Sequence, residues 1–133
     1  MQRLMLFLGA FSLCVGCSKP LAPGAGVVYF DDGEPVRSGS IEFRSIADGT
    51  RFSSRISADG EFDLADAEDR KGIKPGAYEV IVVQIVLTED LAIEEHRHGH
   101  TVPRRYADYY TSDLELNVVD NQTKPLKVVI GVD

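Results

Sequence analysis

From residue 26 onward the apolar residues of this chain recur with a period of two rather than 3.6. That spacing constrains the fold more than any other feature of the sequence. In LELNV (114–118) and LKVVI (126–130) every second residue is Leu, Val or Ile, so each run offers one face to a core and one to water. LELNVV (114–119) and LKVVIGV (126–132), which contain these runs, make seven candidate strands together with VVYF (27–30), SIEFRS (40–45), FSSRIS (52–57), EFDL (61–64) and YEVIVVQIVL (78–87). The last of these is the longest and most apolar, and should run through the middle of a sheet. The segments between them carry turn chemistry. DDGEP places Gly33 where a positive φ is cheap, ADGEF is an Asp-Gly hairpin signal, and KPGAY has the Pro-Gly order of a type II turn. No stretch keeps an i, i+3, i+4, i+7 apolar pattern, and no internal repeat appears. The expectation is one all-β domain, a seven-stranded sandwich over residues 26–133.

The first twenty-five residues follow other rules. LMLFLGAFSLCV (4–15) is an apolar run behind the positive Arg3; it is too short for a transmembrane helix, which needs about 20 residues, and suits a secretory h-region. It ends in Gly16-Cys17-Ser18 and resembles the bacterial lipobox, in which a small residue precedes the cysteine that is lipidated. Cys14 occupies the position where that motif usually has Leu. Residues 1–16 are accordingly read as a lipoprotein signal peptide, Cys17 as the lipidation site and residues 17–25, with two prolines and one glycine, as a lipid-anchored tether. No other cysteine would remain in the processed chain to pair with Cys17. Several acyl chains on one cysteine would anchor it firmly. This places the domain in the bacterial cell envelope, facing the periplasm or the exterior. Ser18, where inner-membrane retention usually has Asp, favours the outer membrane. The formal charge of −7 argues against nucleic acid, since little here could neutralise a run of phosphates.

EEHRHGH (94–100) holds all 3 histidines of the chain at alternate positions. In an extended segment His96, His98 and His100 would share one face, and imidazole is a common ligand for Zn²⁺ or Cu²⁺. Against this, Arg97 brings positive charge, Gly99 favours a turn and Pro103 ends any strand soon after. The histidines fall in a long connection (88–113) without a clear strand, whose start (87–96) could instead form a short helix with Thr88 as N-cap. The expectation is a solvated polar loop with no resident cofactor, binding Zn²⁺ or Cu²⁺ no tighter than micromolar. The carboxylates of Asp31-Asp32, Glu94-Glu95 and Asp66/Glu68/Asp69 are read as loop charge, because no D-x-[DN]-x-[DN]-G calcium loop surrounds them. Tyr29, Tyr78 and Tyr106 fit core or corner positions. Tyr109 and Tyr110 are a candidate contact patch.

Four blocks carry a family resemblance. GVVYFDDGEPVRSGSIEF resembles the opening hairpin of transthyretin-like, carboxypeptidase-regulatory-like domains, at Gly26, Val28, Gly33, Pro35, Val36, Gly39, Ile41 and Phe43. ADGEFDL is similar to their D-x-G-x-F-x-L hairpin, with the turn shortened to Asp59-Gly60 before Phe62 and Leu64. GIKPGAYEVIV is similar to G-x-x-P-G-x-Y-x-V-x-V at Gly72, Pro75, Gly76, Tyr78, Val80 and Val82. PRRYADYYTSDLELNV resembles a block of bacterial lipoproteins carrying this domain, at Pro103, Tyr106, Thr111, Ser112, Leu114 and Val118, with Arg105 in place of Lys. The resemblance implies a transthyretin-like (prealbumin-like) β-sandwich that serves as an accessory module; it implies no catalysis.

Catalytic alternatives lack their residues. Transthyretin-like hydrolases of hydroxyisourate end in Tyr-Arg-Gly-Ser, whereas this chain ends VVIGVD. Intradiol dioxygenases place their tyrosine ligands before a His-x-His pair, but here Tyr106, Tyr109 and Tyr110 follow it. There is no G-x-S-x-G elbow, and Ser112 has no evident base. An intramolecular isopeptide bond would need a lysine on an early strand, and residues 27–64 contain none. The sequence therefore points to a non-catalytic envelope module, binding or structural, attached to the membrane through its lipid and acting on an unidentified envelope protein or glycan. The alternative is a periplasmic metal-binding protein working through His96, His98 and His100.

Overall fold

A computed structural model describes residues 21–85 and 100–132 of the chain. The expected signal peptide, Cys17, the possible helix at 87–96, His96 and His98 lie outside the described residues. Within them the chain forms seven strands: β1 (Ala25–Phe30), β2 (Ser40–Ser45), β3 (Arg51–Arg55), β4 (Glu61–Asp63), β5 (Gly76–Val83), β6 (Leu114–Val118) and β7 (Leu126–Ile130), with one 3-10 turn at Arg104–Ala107. Strands β4-β1-β7 make one sheet and β3-β2-β5-β6 the other. β1 and β7 run parallel, and every other pair is antiparallel. No helix among the described residues is long and apolar enough to cross a membrane.

The alternation sorts side chains as its period requires. Val28 and Phe30 of β1, Phe62 of β4 and Leu126, Val128 and Ile130 of β7 are buried, as are Ile41, Phe43, Phe52, Tyr78, Val80, Val82 and Val118 of the other sheet. The two sets form one core between the sheets, with Leu114 and Leu116 packed at its margin, and this makes the fold a β-sandwich. Aromatic rings knit the layers together: Phe43 lies 6.0 Å from both Phe62 and Tyr78, and Phe52 meets Tyr78 edge-on at 6.0 Å. Burial pushes the Tyr78 phenol up to about 12, and its hydroxyl donates to the Lys74 carbonyl at 2.6 Å. Within the smaller sheet β1 is closely flanked at Gly26, where a Cβ would sit 2.4 Å from the Phe62 ring of β4 and 2.6 Å from the Leu126 carbonyl of β7. Any side chain there would force β1 from between its neighbours.

Several boundaries differ from the sequence reading. Residues expected in the tether belong to the domain: Ala22 is buried, exchanges backbone hydrogen bonds with Ile73 at 2.8 and 2.9 Å, and Leu64 donates to the Gly24 carbonyl at 3.0 Å. A Pro/Gly-rich stretch has no periodicity to advertise such pairing, because backbone alone makes it. β5 occupies an interior position as expected but ends at Val83 rather than 87. There Gln84 leaves the ladder and turns its side chain to Ser38 and to the Val102 amide. β3 stops at Arg55 because the Ile56 amide bonds to Gly39 and the Ser57 amide to Glu61 across the next turn. Tyr78 and Tyr106 are core residues, whereas Tyr29 faces outward. It sits half-exposed opposite Val129, which is 44% exposed, on the open side of the smaller sheet.

Candidate functional site

Two side-chain groups stand out, one on each sheet. The first covers the outer face of the four-stranded sheet. Register aligns Arg44 with Arg51 on one side and Glu79 on the other, and sets Glu42 one row along. Arg44 pairs with Glu79 at 2.6 Å. Tyr109 folds down onto this face: its hydroxyl donates to Glu42 at 2.9 Å, and the Arg44 guanidinium lies 3.8 Å from its ring centroid. Burial, together with the Glu42 carboxylate, raises the Tyr109 phenol far above its ordinary range.

The backbone that delivers Tyr109 is held closely. Buried Tyr106 anchors it, its hydroxyl accepting from the Gly131 amide at 2.9 Å. Thr111 donates its hydroxyl to the Arg105 carbonyl at 2.6 Å, Ser112 donates its hydroxyl to Val80 at 2.6 Å, and the Tyr110 amide donates to the Asp108 carboxylate at 2.8 Å. Ser112 thus serves as a brace for β5, without a base beside it. The outcome separates the two tyrosines. Tyr109 is half-buried and clamped, while Tyr110 is 99% exposed, on a segment whose geometry is fixed.

The second group lies at the β1–β2 turn. Asp32 caps this turn by accepting from the Glu34 amide at 3.0 Å, and the Phe30 amide closes it by donating to Glu34 at 2.7 Å. His100 returns from the far end of the long connection, its ring edge-on to Phe30 at 5.2 Å, and brings Nε2 to 2.5 Å from Asp32 Oδ2. The Glu34 amide chiefly, with His100 next, holds the Asp32 carboxyl below its ordinary value. One ligand atom each from Asp32, Glu34 and His100 lie within 4.8 Å of one another. Of the three histidines that the alternative reading would join at one metal, only His100 falls among the described residues. Its neighbours there are Asp32, which the sequence reading assigned to loop charge, and Glu34, which it did not single out. The pairing spans 68 positions, and no local pattern could have announced it.

The Asp66/Glu68/Asp69 group forms a closed loop. Asp66 accepts from the Glu68 and Arg70 amides at 3.0 and 2.9 Å and from Arg70 Nε at 2.8 Å, which leaves its carboxylate fully engaged. Comparisons of the chain with protein-family models, with curated proteins and with solved structures find no match.

Proposed function

We propose that this chain is a lipid-anchored, non-catalytic envelope module of the transthyretin-like type that binds an envelope protein or glycan through the surface around Tyr110. The observation that carries the reading is the contrast between the clamped Tyr109 and the 99% exposed Tyr110. A bare aromatic ring on a pre-ordered backbone loses little freedom on binding, and supplies a large contact area with a polar tip. Arg44, under the neighbouring Tyr109 ring, and its partner Glu79 provide polar groups for orientation. The resemblance blocks support the module type: Ile41, Phe43, Tyr78, Val80 and Val82 all take core positions. The lipobox-like Gly16-Cys17 supports display at a membrane.

The test is capture from envelope extract with the wild-type chain and with Tyr110→Ala, a substitution at a side chain the fold does not use. The reading expects a discrete partner retained by the wild type and lost, by tenfold or more, from the variant. Identical capture by both chains would remove Tyr110 from the binding surface.

A further inference from the structure

We propose that Asp32, Glu34 and His100 form a binding site for one first-row divalent transition ion, with Zn²⁺ as the representative. The site is independent of the Tyr110 surface, and its ligand set differs from the three histidines that the spacing of EEHRHGH suggests. One imidazole nitrogen and two carboxylate oxygens suit Zn²⁺ and its neighbours better than Mg²⁺ or Ca²⁺, which prefer oxygen alone.

Geometry supports the assignment first. Three ligand atoms within 4.8 Å of one another approach the separation of about 3.4 Å that bonds of about 2.0–2.2 Å impose around a tetrahedral ion. Small side-chain rotations close the difference, since Asp32 and His100 side chains are 43% and 38% exposed. The backbone beneath need not move. The turn is tied by Phe30 to Glu34 and by Gly33 to Phe30, and Asp32 meets the Glu34 amide through Oδ1, which leaves Oδ2 facing His100. Phe30 orients the imidazole, and the Gln84 side-chain Oε1 accepts from the Val102 amide two residues on.

Charge supports it second. Glu34 makes no side-chain hydrogen bond or ion pair with another described residue. His100 is the one side chain paired with Asp32 among the described residues. Two carboxylates therefore converge on a single imidazole, and a neutral imidazole would leave both uncompensated. A dication between them offsets that charge. The ion takes the place of the hydrogen between His100 Nε2 and Asp32 Oδ2: a neutral ring frees Nε2 by carrying its hydrogen on Nδ1, and a charged ring releases one proton to solvent as the metal binds. A fourth position would hold water, as in open zinc sites.

Calorimetric titration of ZnCl₂ into the metal-free full chain in detergent tests the site, comparing the wild type with Glu34→Gln, with His100→Ala and with a His96→Ala/His98→Ala double variant. Circular dichroism checks that each retains its strands. The expected result is one-to-one uptake in the micromolar range, weakened at least tenfold by Glu34→Gln and by His100→Ala and unchanged in the double variant. Because Glu34→Gln preserves shape on an exposed turn, it stays informative if His100→Ala disturbs packing. Three results would overturn the assignment: no one-to-one uptake by the wild type, uptake indifferent to Glu34→Gln (an adventitious ion only), or uptake lost in the double variant.

Discussion

Single aspartates organise the turns of this fold, and each does so as an ionised group. Asp32, Asp48 and Asp66 accept backbone hydrogen bonds from Glu34, Thr50 and Arg70 at 3.0, 2.9 and 2.9 Å. Those donors are the chief reason each carboxyl lies below its ordinary value of 3.8. A carboxyl whose value is lowered by folding stabilises the native state above the unfolded value, and that contribution is lost as pH falls through the folded one. The thermal midpoint should therefore be insensitive to these three groups above about pH 4 and fall below it. Replacing all three with Asn keeps a side-chain oxygen for the amides but removes the ionisation, so the acid limb should flatten. Melting curves from pH 6 to pH 2 check this; an acid limb as steep in the triple variant would assign acid sensitivity to other groups. The Asp66 turn carries no glycine beside its aspartate, but the Asp32 turn is legible from its Asp-Gly pair alone. The closure of Tyr109 on Glu42 is not, because it joins residues 67 positions apart.

At the level of elements, the period of two located all seven strands, since a half-buried strand must write its two faces into alternate residues. Its ends were less legible, because backbone bonds and the next turn stop a strand, and these leave little trace in side-chain pattern. The entry to β2 shows how tightly two elements are fitted. Gly39 has φ of 108°, and a Cβ there would lie 2.4 Å from the Val83 carbonyl at the end of β5. Gly33 also has a positive φ, 93°, but open space surrounds it. Gly33→Ala should cost only the conformational penalty, about 1–2 kcal/mol. Gly39→Ala should add an overpacking cost of about 1–3 kcal/mol and loosen the β2–β5 pairing. Urea unfolding of the two variants checks the order; equal midpoints would mean that β5 yields to the added methyl without cost.

For the whole molecule, the account joins a rigid sandwich to a proposed membrane anchor through a short connection. Because Ala22 already pairs with Ile73, only residues 18–21 lie between Cys17 and that pairing, and the tether is shorter than its composition suggested. A chain of that length would hold the domain close to the bilayer surface, at most about 3.3–3.6 Å per residue away. The fold was readable because strands and turns speak locally. The candidate surfaces were not, because each is assembled from the 100–112 segment laid across strands and turns near the start of the chain. What the proposed role requires above all is the lipid at Cys17, for without it the domain would not be displayed at a membrane. Detergent phase separation of the full chain and of Cys17→Ser, both expressed in a bacterial host, measures this directly. The account predicts that the wild type enters the detergent phase and that the variant stays in the aqueous phase. Equal partitioning of the two into detergent would contradict it.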